Sequence, residues 1–73
     1  MNETTRQETI AAVREIYAKR LKLVDRAIKA AEAAQDAVPY SASFSSAIHA
    51  MKYARANVER QRDIEVKYWE GLE

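Results

Sequence analysis

Apolar residues recur at steps of three and four through almost the whole chain, with the single proline between the two runs and the single glycine at the very end of the second. Ile10, Val13, Tyr17, Leu21, Val24, Ile28 and Ala31 form the first run. Phe44, Ala47, Met51, Ala54, Val58, Gln61, Glu65, Tyr68 and Leu72 form the second. That spacing puts side chains on one side of an α-helix, whereas a half-buried strand would alternate every second residue. The constraint is severe: each run is a helix with a seam that must lie against another helix.

Local signals place the ends. Thr5 followed by Glu8 has the spacing of a capping box, so the first helix is expected from Arg6 and over residues 6–37. Pro39 disfavours a helical Val38, and the connection is read as residues 38–43, with Ser41 or Ser43 available as an N-cap. The second helix is expected over residues 44–70, with Gly71 in the C-terminal cap position. Two helices joined by about six residues must run antiparallel, because so short a connection cannot carry the chain back to the other end. The expected fold is therefore all-α, one domain, a two-helix antiparallel hairpin. At a shared rise of 1.5 Å per residue, positions whose numbers sum to roughly 82 should meet.

Size makes a second expectation. A chain of 73 residues buries only about 60% of its unfolded surface, so its own core is marginal. The apolar arc of the first helix is also too wide for one neighbour, since at about 100° per residue Ile16 and Leu23 point roughly 100 to 120° from the centre of the Tyr17, Val24 and Ile28 stripe. Tyr53 and Ile64 likewise lie off the second seam, in line with Asn57 and Arg60. Two hairpins in a twofold four-helix bundle would cover much of this surface, so a homodimer is expected.

Within the seams one place is polar. Gln61 and Glu65 interrupt the second run where the folded-back first helix presents Arg20, with Tyr17 beside them. A polar layer of Arg20, Gln61 and Glu65 can fix register and orientation. The planar fork of Arg20 also suits a carboxylate on a partner.

The chemistry-bearing residues are few. With no cysteine there is no disulfide framework, thiolate metal site or thiol nucleophile, which is compatible with a reducing cytoplasm. His49 is the only histidine, and its neighbours at helical spacing, Ser45, Ser46, Lys52, Tyr53 and Ala56, offer neither further metal ligands nor a catalytic partner. Ser41, Ser43, Ser45 and Ser46 lack a glycine-flanked elbow and read as caps and turn formers. Glu15 with Lys19, Asp25 with Lys29, Arg55 with Glu59 and Asp63 with Lys67 have the i to i+4 spacing that supports exposed helix faces. No catalytic residue, metal site or cofactor is expected, and the chain is read as non-enzymatic. The opening residues are polar, and no apolar run approaches the roughly 20 residues of a spanning helix, so neither export nor a membrane location is expected.

Partners are the remaining class. Net charge is +1, from twelve basic and eleven acidic side chains. Lys19, Arg20, Lys22, Arg26 and Lys29 make the densest basic stretch, and Lys52, Arg55, Arg60 and Arg62 a second; their helical angles scatter and Asp25, Glu59 and Asp63 interrupt them. A nucleic-acid interface gathers cations on one face, so RNA or DNA binding through Lys19, Lys22, Arg26 and Lys29 is the lesser reading. Tyrosine, tryptophan and arginine dominate protein hot spots. Arg20, Tyr40, Tyr53 and Ile64 are the candidates for contact with a protein target, Tyr40 and Tyr53 because the hairpin seam needs neither. A structural subunit of a larger assembly is a third possibility.

The stretches Thr4-Thr5-Arg6, Ile16-Tyr17-Ala18-Lys19-Arg20-Leu21 and Pro39-Tyr40-Ser41-Ala42-Ser43-Phe44 resemble the small helical proteins that bacteriophages encode to hold host regulators inactive, among them anti-activators of quorum-sensing transcription factors. That resemblance implies a cytoplasmic inhibitor that sequesters a transcription regulator. In layout the chain is also similar to the Rop-type dimeric hairpins, which bind RNA, a likeness of architecture.

Overall fold

A computed structural model describes residues 2–71, and over them the chain is two long helices, α1 (Glu3–Ala37) and α2 (Ala42–Glu70), packed as an antiparallel hairpin. At 35 residues α1 is about 52 Å long by the usual rise, which sets the longest Cα extent of the hairpin at 55 Å; the other two are 15 and 9 Å.

The start of α1 differs from the sequence expectation. Asn2, not Thr5, is the cap: its Oδ1 accepts from the Thr5 amide at 2.8 Å, and its carbonyl accepts from the Arg6 amide at 3.0 Å. Asparagine is the stronger N-cap, and starting there places Glu3 in the first turn, where its charge complements the helix dipole. Glu3 then accepts from Gln7 Nε2 at 2.8 Å and lies 3.3 Å from Arg6. The helix ends at Ala37 as expected, with the Val38 amide donating back to Ala34 and Gln35. The connection is shorter than expected, Val38 to Ser41, closed by the Ser41 amide on the Val38 carbonyl at 3.2 Å. Ser41 occupies the N-cap position of α2 without a side-chain capping bond, and α2 begins at Ala42 rather than Phe44. Gly71 is the C-cap, its amide bonded to the Lys67 carbonyl at 3.0 Å; its φ of −81° is ordinary right-handed backbone.

Cross-helix pairs fix the register. Tyr17 meets Glu65, Asp25 meets Arg55, Gln35 meets Ser45 and Arg14 meets Glu70, so partner numbers sum to between 80 and 84. The α1 seam is the expected one: Ile10, Val13, Tyr17 and Ile28 are buried, and Leu21, Val24 and Ala31 are half-buried. The α2 seam is turned toward the other side of the expected stripe. Met51, Val58 and Glu65 lie inward as expected, but Ile48, Arg55, Arg62, Val66 and Trp69 complete the seam, while Ala47, Ala54, Gln61 and Tyr68 are exposed. Ile48, Val66 and Trp69 carry more apolar surface than the alanines and glutamine they replace, and burial gain scales with that area. Leu72, the last member of the expected stripe, lies outside the described residues.

The core is concentrated toward the termini. Ile10, Val13, Tyr17 and Val66 form one buried cluster, with Val58 and Trp69 packed against it. Tyr68 meets the Trp69 ring edge to face at 5.4 Å between centroids. Nearer the turn only Ile28 and Ile48 are buried, with Val24, Ala31, Phe44 and Met51 half-buried along the same seam.

Candidate interaction surface

The polar layer exists with a different membership. Tyr17, brought inward by the α1 seam, donates its hydroxyl to Glu65 Oε2 at 2.9 Å. Arg20, one turn further on, lays its guanidinium over the Tyr17 ring, 4.9 Å from the centroid. The hydrogen bond to Glu65 pushes the Tyr17 phenol above its usual range; burial and the Glu65 charge act in the same direction, while Arg20 opposes them. Arg20 forms no ion pair with Glu65 or any other carboxylate among the described residues. Gln61 is exposed and belongs to no side-chain hydrogen bond there, because the turned α2 seam carries it out of the layer.

The two long flanks of the seam are unlike. On one, Arg55 bridges the helices, donating from Nε to Asp25 at 2.7 Å and from NH1 to Glu59 at 2.6 Å; Arg14 lies 3.6 Å from Glu70. The Asp25 hydrogen bond, then its charge and that of Glu59, hold the Arg55 guanidinium above its already high pKa. Sequence spacing paired Asp25 with Lys29; the structure gives it to Arg55, a partner legible in the folding sum. Asp63 similarly takes Arg62 at 3.0 Å in place of Lys67, whereas Glu15 with Lys19 and Arg55 with Glu59 pair as spaced.

At about 100° per residue, Ile16 and Leu23 stand roughly half a turn from Arg14 and Asp25, and Ala54, Gln61 and Tyr68 roughly half a turn from Glu59, Asp63 and Glu70. The ion pairs put the charged residues of both helices on one flank, so these others share the opposite one. There Ile16, Leu23 and Tyr68 are 50, 62 and 61% exposed. At mid-length this apolar flank contains Arg20, with Lys19, paired to Glu15, at its outer edge.

A third surface is the back of α2. Tyr53 and Ile64 are 66 and 62% exposed, on a stripe with Asn57 and Arg60 whose side chains bond to each other at 2.9 Å. Tyr40, at the turn, is almost fully exposed. Arg20, Tyr40, Tyr53 and Ile64 thus lie on three separate surfaces.

The outer side of α1 is basic. Lys22, Arg26 and Lys29 line a shallow open groove with Ala18, Leu21 and Asp25, and none of these three cations is in an ion pair among the described residues. They are closer in angle than the whole basic stretch suggested, because Arg20 points elsewhere. Among the described residues no three His, Asp or Glu side chains converge as metal ligands, and no helix is long and apolar enough to cross a membrane. No protein-family model, curated protein or solved structure matches the chain.

Proposed function

We propose that this hairpin is a non-enzymatic protein-binding regulator that acts in the cytoplasm by sequestering or inhibiting a protein partner. The supporting observation is the Tyr53 and Ile64 stripe, an aromatic and a branched aliphatic side chain held on the side of α2 that faces away from α1. A rigid helix loses little further conformational freedom when it docks, and such anchors supply most of the energy of a protein contact. Arg60 and Lys67 lie at neighbouring helical angles, so the complementary partner surface is apolar at its centre and acidic at its rim. The short stretches resembling phage-encoded anti-activators support an inhibitor of a transcription regulator as the specific form of this activity.

Affinity capture from bacterial lysate, with nuclease present, tests the reading. A protein retained by the natural chain and lost from a Tyr53→Asp, Ile64→Asp variant of unchanged helicity supports it. Retention of nucleic acid alone would replace it by the second reading, which Lys22, Arg26 and Lys29, in no ion pair among the described residues, favour: binding of an RNA or DNA backbone along outer α1. Three phosphate contacts would give a slope of about −3 for log affinity against log salt on a duplex. An apolar protein contact would change far less with salt.

A further inference from the structure

The flank opposite the ion pairs combines two properties that a lone hairpin leaves unused. It is broad and apolar, with Ile16, Leu23 and Tyr68 each at least half exposed. It also has a cation and an anion at mid-length that do not pair: Arg20, exposed over the Tyr17 ring, and Glu65, half-buried, with Oε2 taken by the Tyr17 hydroxyl. By helical angle both are tilted from the seam toward this flank.

We propose that this face packs on the same face of a second copy of the chain, about a twofold axis parallel to the hairpin, giving a four-helix bundle with both turns at one end and Arg20 and Glu65 of both copies in its central polar layer. Charge selects the occupant and the orientation. With the turns together, α1 neighbours α2 of the second copy at the same level, and Arg20 stands beside the other chain's Glu65, twice by symmetry. With the turns at opposite ends, α1 would neighbour α1 and α2 would neighbour α2, setting Arg20 against Arg20 and Glu65 against Glu65. Like charges side by side in a desolvated layer are unfavourable, and opposite charges there fix register.

Shape agrees with charge. At equal levels Ala27 and Ala34 of one copy face Ala54 and Ala47 of the other, so backbones approach closely near the turns, while Ile16 faces Tyr68 near the termini. Cα extents of 55 and 15 Å make the face about 800 Å², the contribution of one partner to a standard interface. The stripe of Tyr53 and Ile64 remains on the outside of such a bundle, so the dimer does not depend on the proposed protein target.

Sedimentation equilibrium of the full chain at micromolar concentration tests this. The expected mass is twice 8.3 kDa; a monomer at 100 µM would overturn the proposal. Leu23→Glu, at an exposed site, should keep the helical signal and raise the dimer dissociation constant at least about 100-fold. Ala18→Glu, on the charged flank, should leave it unchanged, and the opposite ranking would overturn the choice of face. The decisive pair is Arg20→Glu in one chain and Glu65→Arg in another: each alone should weaken self-association about tenfold or more, and an equimolar mixture should restore it, because only the mixed dimer sets opposite charges at both contacts, one original and one reversed. A mixture no tighter than either variant would overturn the polar layer.

Discussion

The terminal half of the hairpin and the half next to the turn hold the same two helices together by different means. Toward the termini, four large side chains of both helices, Ile10, Val13, Tyr17 and Val66, pack into one cluster covered by Val58 and Trp69. Toward the turn, only Ile28 and Ile48 are buried, with Val24, Phe44 and Met51 half-buried, and Arg55 reaches across to Asp25 while Gln35 reaches Ser45. A buried cluster holds one half; partly buried side chains, the Arg55 and Gln35 contacts and a short connection hold the other. The uniform spacing of the seam conceals this difference, because alanine and isoleucine satisfy the same pattern while differing severalfold in the surface they can bury.

The comparison breaks most directly at the cluster. Ile10→Ala should cost about 3 kcal/mol and Ile48→Ala about 2 kcal/mol, read from urea midpoints by circular dichroism at one fixed protein concentration. Equal losses would show that the two halves are equally packed. Asn2→Ala should cost about 1 kcal/mol by removing the bond to the Thr5 amide, and should loosen amide exchange in the first turn of α1 while leaving the turn half unchanged.

The two polar contacts sharpen the contrast by their responses to solution conditions. Because the Tyr17 phenol is raised above 10.0, folded and unfolded chains both hold that proton below pH 10 and its contribution is fully present. Above it the unfolded chain ionises first, so stability falls as pH rises through the Tyr17 value in the folded state. Tyr17→Phe should remove that share of the alkaline loss in a series of thermal midpoints. The smallest effect belongs to Arg55→Gln, in the turn half: a midpoint loss smaller than that of Asn2→Ala, and one that shrinks at 0.5 M salt, where partly exposed ion pairs are screened.

Much of this fold was legible in residue spacing alone. Pro39 and the two runs define a hairpin, and the common helical rise gives a register sum that the Tyr17 and Glu65 pair matches. The rotation of α2 was less legible, since Ala47, Ala54, Gln61 and Tyr68 fit a heptad as well as Ile48, Arg55, Arg62 and Trp69 do. Weighting each position by its apolar area would have chosen the second set, with Arg55 tolerated at the edge because Asp25 lies opposite. The cap was missed because the capping-box pattern at Thr5 and Glu8 competed with a plain asparagine three residues earlier. Of the candidate surface, the exposure of Tyr53 and Ile64 followed from their helical angles and that of Tyr40 from its place in the turn. The stacking of Arg20 on Tyr17 did not, since it depends on how long side chains settle once Gln61 has rotated away.

The connection at Val38 to Ser41 also governs the order in which the hairpin can close. The cross-helix hydrogen bonds from Gln35 to Ser45, Arg55 to Asp25 and Tyr17 to Glu65 span 10, 30 and 48 residues of chain. In an unstructured chain the last of these loops costs about 1.4 kcal/mol more to close than the first. Contacts beside the turn are therefore the least expensive to form, while the largest burial lies at the far end and is gained last. The terminal cluster acts as a latch: Ile10→Ala should speed opening in stopped-flow unfolding more than it slows refolding, and Ile48→Ala should show the reverse balance.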